Sequence, residues 1–254
     1  MEIYQKQSFA DSFKVYLDKR MLRILLLGII SGFPWVIIGS SLSLWLKEDG
    51  LSRSTVGWAG LIFAVYAFNY LWAPLIDKIR IPILTKKFGH RRSWIILMQL
   101  IILISLALWS LMEPSKNLTL VIFVGLIIAI ASSTQDITVD ALRIEQVGEK
   151  ETKSMAAGAA MAVVGWWSGY KLGGVISLFS AETLQNLGFE NYWQITFLLL
   201  ILLVVLMNIG LLFINEEEDF KRADQQKKSQ RAIQDKIGST GLHAKVIAWI
   251  SETV

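Results

Sequence analysis

Two aspartates stand at the end of an apolar run. From Leu120 to Ala131 no residue is polar, and the chain then reads Ser132-Ser133-Thr134-Gln135-Asp136-Ile137-Thr138-Val139-Asp140. A spacing of four puts Asp136 and Asp140 on one face of a helix. An ionisable group inside a lipid-length segment costs about 2.5 kcal/mol or more, which marks it as a functional candidate. Loss of water penalises the bare charge and suits a group that binds and releases a proton. Asp136 and Asp140 are therefore the candidate proton-coupling pair, with Gln135 beside them. Asp140 has a plainer reading as well, because Arg143 lies one turn away and could hold it in an interfacial ion pair. Asp136 is about 10 Å deeper than Arg143 at a 1.5 Å rise per residue.

A second set of candidates lies in Gly165-Trp166-Trp167-Ser168-Gly169-Tyr170-Lys171. Lys171 falls near the middle of an apolar run, too deep to reach water easily by snorkelling. It either has a buried partner or faces a wet cavity, where it would attract an anion with Tyr170 alongside. Gly165, Gly169 and Gly173 place a small residue at every fourth position, which permits close helix–helix approach. Ser31-Gly32-Phe33-Pro34 interrupts another run. Pro34 removes a backbone donor, so a carbonyl is freed and needs a partner. A kinked, polar span can line a cavity, although such kinks also occur in purely structural helices. Ser31, Pro34 and Gln135 complete the candidate cavity residues that the chain itself suggests. Asp77, directly after a run, can pair with a neighbouring helix end. With Gly89, Arg91 and Arg92 it forms a candidate gating loop, which also reads as a plain cationic anchor.

The elements that carry these residues are set by hydropathy. Hydrophobic residues make up 54% of 254 and charged residues 18%, well above the apolar level of a soluble domain of this size. A bilayer core is spanned by about 20 apolar helical residues. Six runs qualify, at about 23–46, 55–76, 93–112, 118–141, 155–180 and 192–214. The expected fold is all-α, a six-helix polytopic membrane bundle. In a pair of inverted three-helix repeats the first and fourth spans are equivalent, and these are the two that carry polar interruptions.

Of the 25 Lys and Arg residues, 21 fall in segments on one side, Lys47, Arg53 and Lys116 on the other, and Lys171 within a span. By the positive-inside rule both termini are expected in the cytoplasm. Trp45, Trp58, Trp109 and Trp193 fall near the expected outer ends, and Trp72 and Trp94 near the inner ends, as an aromatic belt. Residues 1–22 read as an interfacial helix leading into the first span. Residues 215–254 read as a charged cytoplasmic linker, with a new amphipathic stretch starting near its end.

Cysteine is absent and the two histidines, His90 and His243, are far apart. No metal site, cofactor or nucleic-acid partner is expected. An intramembrane aspartyl protease would need two carboxylates converging, usually from different helices. Here both lie on one helix, so no enzyme is expected.

Ser31-Gly32-Phe33-Pro34, Leu71-Trp72-Ala73-Pro74-Leu75-Ile76-Asp77-Lys78, Gly89-His90-Arg91-Arg92, Gln135-Asp136-Ile137-Thr138-Val139-Asp140-Ala141 and Gly169-Tyr170-Lys171-Leu172-Gly173 resemble, in order, motifs of the AmpG muropeptide permease family of the major facilitator superfamily. The resemblance spans Leu26 to Ile214. It implies proton-driven import of anhydro-muropeptides, small amphipathic glycopeptides, across the bacterial inner membrane in cell-wall recycling, with Asp136 and Asp140 implicated in transport. Two positions depart from the family pattern. Lys171 stands where Arg is usual, which keeps the charge but loses the bidentate fork. Asn69 stands where Lys is frequent, and the resemblance makes it a further candidate cavity residue. The superfamily fold has two six-helix halves, so the expectation is a half-transporter that needs a C-terminal half from the same gene, a split gene or a second copy. A non-transporting fragment or relic, and an importer of another large anionic solute such as acetyl-CoA or a siderophore, are the alternatives.

Overall fold

The computed structural model describes residues 15–147 and 152–214, and all regular secondary structure there is helical. After a 3-10 turn at Val15–Leu17, helix α1 runs Lys19–Glu48. Asp18 caps it, accepting from the Arg20 backbone N–H at 2.9 Å, the ordinary means of satisfying a free helix N-terminus. Pro34 lies inside α1, and the next turn, Ile37–Ser41, widens into π geometry. Helix α2 is Arg53–Leu71, capped by Ser52 through the Thr55 N–H at 3.1 Å. Then follow α3, Ala73–Lys78, α4, Leu84–Phe88, and α5, His90–Trp109. The long helices α6, Pro114–Val147, and α7, Thr152–Asn186, precede α8, Tyr192–Leu211.

Five of the described helices, α1, α2, α5, α6 and α8, are long and apolar enough to cross a membrane. Helix α7 has 35 residues but falls outside that set. Its middle is diluted by Gly165, Trp166, Trp167, Ser168, Gly169, Tyr170 and Lys171. Its length alone, at about 1.5 Å per residue, exceeds a bilayer core.

Helix α1 is the centre of the bundle, with 67% of its apolar stretch buried against 11% for α2. Its most extensive partner among the described helices is α7. Gly28 and Gly32 on α1 meet Gly165 and Gly169 on α7. A Cβ on any of the four would come within 3.0 Å of the opposite backbone, so only glycine permits this approach. Gly173 extends the seam against the Phe33 and Val36 side chains.

Three differences from the sequence expectation have clear causes. The span expected at 55–76 breaks at Trp72, whose backbone leaves ideal helix at φ −107 and ψ 0. Pro74 lacks the N–H that would continue the ladder and crowds the preceding turn. Trp45, Trp109 and Trp193 are not belt residues: they are 2%, 0% and 2% exposed. They pack with Phe197 in an aromatic plug, Trp45 to Phe197 at 4.8 Å and Trp109 to Phe197 at 5.3 Å between ring centroids. The Trp193 indole N–H donates to Glu48 at 2.7 Å, which ties α8 to the end of α1. Trp58 is exposed. Finally, α1 already begins at Lys19, so 19–22 belong to the first long helix. The rest of the expected interfacial helix, apart from Val15 to Asp18, and the linker at 215–254 lie outside the described residues.

Candidate functional site

The site grows from the proline. Pro34 has no N–H, so the Ile30 carbonyl one turn earlier loses its helical partner. The Gln135 side-chain amide of α6 donates to that carbonyl at 2.9 Å. Gln135 in turn accepts from the Gln99 amide of α5 at 2.5 Å, and Gln99 accepts from Asn208 of α8 at 3.4 Å. Gln135 and Gln99 are 0% and 2% exposed. A line of amides thus crosses the bundle from α8 to the kink of α1. This is how a polar group is satisfied where water is absent.

One residue beyond Gln135, the Asp136 carboxylate turns to the same kink. Ser31 donates its hydroxyl to one oxygen at 2.5 Å, and the Trp35 indole N–H donates to the other at 3.4 Å. Among the described residues no cation pairs with it; its polar neighbours include these two donors, Asp140 and the Tyr66 hydroxyl. Among the described residues, neutral donors and not a cation hold this half-buried carboxylate.

Rings surround it. Trp35 lies 4.5 Å from Tyr66 and 5.1 Å from Phe63 of α2, and 5.6 Å from Trp166 of α7, centroid to centroid. Tyr170 stacks on Trp166 at 5.6 Å with only 4° between planes. The Tyr66 and Ser132 hydroxyls are buried and face each other, short of ideal hydrogen-bond geometry.

The other candidates fall in separate places. Asp140 is exposed and ion-paired to Arg143 at 3.2 Å, so it does not share the Asp136 environment. Lys171 is exposed, its ammonium 5.8 Å from the Trp167 ring centroid. Asn69 opens the 3-10 turn that ends α2 and is half-buried. The loop residues form their own cluster. Arg91 bonds Asp77 and also Glu145 of α6, the latter at 3.3 Å. The buried Arg92 donates to the Leu212 carbonyl at the end of α8 at 3.1 Å. Gly89 holds φ at 90° immediately before α5, a backbone state natural only to glycine. His90 bonds the Ile76 carbonyl at 2.9 Å.

The Major Facilitator Superfamily sequence model matches residues 24–250. The chain belongs to the Major Facilitator Superfamily. It is similar to a Rickettsia felis protein named "Putative transporter AmpG 4", 36% identical over 205 residues, covering 81% of this chain and 47% of that one. It is also similar to the anhydromuropeptide permease of Escherichia coli strain K12, 30% identical over 188 residues, covering 74% of this chain and 36% of the permease. The chain therefore spans about half the length, or less, of these curated relatives.

Within this superfamily member, sequence reasoning missed Trp35, Tyr66, Gln99 and Asn208. Gln99 and Asn208 each carried a signal, a lone amide in a lipid-length apolar run. A buried amide needs a partner, so two in different spans, with Gln135 in a third, invited a bridge. Trp35 and Tyr66 carried none, because aromatic residues serve cores, cavities and interfaces alike.

Proposed function

We propose that this chain forms one half of a proton-coupled importer of anhydro-muropeptides in a bacterial inner membrane. In this reading all six long helices, α7 included, cross the bilayer and both ends lie in the cytoplasm. The second half comes from further sequence, a separate chain or a second copy. The observation that carries the reading is Asp136, an unpaired carboxylate held by Ser31 and Trp35 against the proline kink of the central helix. It supports proton coupling because protonation replaces a charged acceptor with a neutral group at the seam between α1 and α6. The substrate class rests on the similarity to the named permease and on the aromatic surface formed by Trp35, Trp166 and Tyr170.

The test is uptake of labelled anhydro-muropeptide into proteoliposomes, with and without an imposed pH gradient, in the complete two-half transporter. Asp136→Asn is nearly isosteric and carries no proton. It should lower gradient-driven accumulation by about tenfold or more, a loss of about 1.4 kcal/mol in driving force, while exchange without a gradient persists. Asp140→Asn should lower it less, since Asp140 is exposed and paired to Arg143. Full accumulation in Asp136→Asn would remove this residue from coupling.

A further inference from the structure

A cavity of about 540 Å³ lies away from Asp136, between α3, the first turns of α5 and the middle of α6. Its walls include Trp72, Ile79, Trp94, Met98, Ile130 and Thr134. The Thr134 hydroxyl already accepts the Trp72 indole N–H at 3.0 Å. The lining therefore offers almost nothing to a polar solute. Leu75 and Ile79 are 51% and 49% exposed, so the slot opens sideways. In a chain of membrane-crossing helices that opening faces lipid or a packed partner.

The chain around one wall residue, Ile79, is strongly cationic. Ile79, whose carbonyl accepts the Trp94 indole N–H at 2.9 Å, is flanked in sequence by Lys78 and Arg80. Lys86 and Lys87 follow on α4. All four are exposed. An apolar slot of this size, framed by two indoles and followed in the chain by exposed cations, matches an amphiphile with a hydrocarbon tail and an anionic head.

We propose that this groove is a specific site for an anionic phospholipid, with an acyl chain between α3, α5 and α6 and the phosphate among Lys78, Arg80, Lys86 and Lys87. Charge complementarity decides between occupants. A zwitterionic lipid would fill the slot without using these cations, and a packed helix would cover the slot without neutralising them.

The test uses the 254-residue chain in detergent with an equimolar mixture of phosphatidylglycerol and phosphatidylcholine. Native mass spectrometry reads the lipids retained. Phosphatidylglycerol adducts should exceed phosphatidylcholine adducts at least fivefold, about 1 kcal/mol at 1.4 kcal/mol per decade. The variant Lys78→Gln, Arg80→Gln, Lys86→Gln, Lys87→Gln should bring the ratio close to one. In nanodiscs, phosphatidylglycerol brominated on its acyl chain should quench Trp72 and Trp94 more than brominated phosphatidylcholine does. The quench is assigned by subtracting the signal of Trp94→Phe. Equal retention of the two lipids overturns the proposal, and so does a preference that survives the four-site variant, since other cations would then be its source. A protein dimer that excludes lipid from the slot also overturns it. Ala131→Phe, which narrows the slot, should reduce adducts of both lipids. Unchanged phosphatidylglycerol binding in that variant, with native helicity, would place the tail elsewhere.

Discussion

The Ile30 carbonyl gives a sharp test, because its partner can be removed and then replaced. Gln135→Leu keeps the side-chain size and removes two hydrogen bonds, one to the Ile30 carbonyl at 2.9 Å and one from Gln99 at 2.5 Å. An orphaned buried polar group costs about 1–3 kcal/mol in soluble proteins. Interhelical hydrogen bonds in membranes average about 0.6 kcal/mol and reach about 1.7. Pro34→Ala restores an N–H one turn after Ile30, which can close the carbonyl within α1. The stranded Gln99 amide is common to both backgrounds and cancels in the cycle. Gln135→Leu should therefore be less damaging in the Pro34→Ala background than in the parent, by about 1 kcal/mol, or about fivefold in the unfolding equilibrium. The assay is reversible unfolding in mixed micelles with rising SDS, followed by far-UV circular dichroism, on all four proteins of the cycle. A coupling energy within about 0.3 kcal/mol of zero would refute the reasoning. It would mean that the proline kink and the α6 amide are independent features.

Three further outcomes follow from the same geometry. Gly169→Ala places a methyl group within 3.0 Å of the Ile29 backbone and should destabilise by about 1–3 kcal/mol. Gly57→Ala, whose added carbon meets nothing within 4 Å, should be neutral or stabilise by up to about 1 kcal/mol; equal effects of the two in the same SDS titration would contradict the close seam. Asp18→Ala removes the α1 cap and should destabilise by about 0.5–1 kcal/mol at pH 7. Hydrogen bonds from the Arg20 backbone and side chain hold the Asp18 carboxyl below its usual 3.8, so the cap's stabilisation is complete above that value and fades as pH falls through the lowered one. The mutant and the parent should therefore converge near pH 2, and a constant gap down to that pH would remove the charged cap. For the proposed orientation, single cysteines at Asn117 and Asn186 should react with an impermeant thiol reagent in intact spheroplasts and one at Lys86 should not, whereas labelling at Lys86 alone would reverse it.

What could be read before the structure was local and strongly signalled. Asp136 stood out because a carboxylate closes a run with no polar residue, and Pro34 because its missing donor must leave an acceptor unpaired. The glycine stripe at Gly165, Gly169 and Gly173 pointed to a tight seam, and Gly28 and Gly32 turned out to be its other side. The identity of partners was not legible, because Gln135 and Ile30 are separated by 105 positions and no local pattern selects one carbonyl among many. Tryptophan misled for a physical reason. Its ring is large and apolar with one polar edge, so the same residue suits a membrane interface and a core with a single acceptor. Trp193 found that acceptor in Glu48, and Trp109 found it in the Val121 carbonyl. Helix α7 shows the reverse case, where glycine and indole lower the hydropathy of a helix whose packing against α1 depends on those same glycines.

The two seams of α1 differ in kind, and on the proposed function that difference assigns their roles. Toward α7 the contact is glycine against backbone, steric and close, with the Ser41 and Ser177 hydroxyls bonded across it at 2.6 Å. Such a contact resists separation strongly and has little dependence on charge. Toward α6 the contact is directional, with Gln135 on the Ile30 carbonyl and Ser31 and Trp35 on Asp136, all within about one turn of the proline. A proton on Asp136 removes the charge that strengthens both donors' bonds, while the Gln135 bond next to it is untouched. The α6 seam is then the one whose geometry depends on protonation, and α1 and α7 respond as a pair. Helix α1 is already widened just past the proline, at Ile37–Ser41, where a change at Ser31 and Trp35 can be absorbed without breaking the glycine seam. On the proposed function, the coupling step belongs to the α1–α6 face, where the charge-dependent bonds lie.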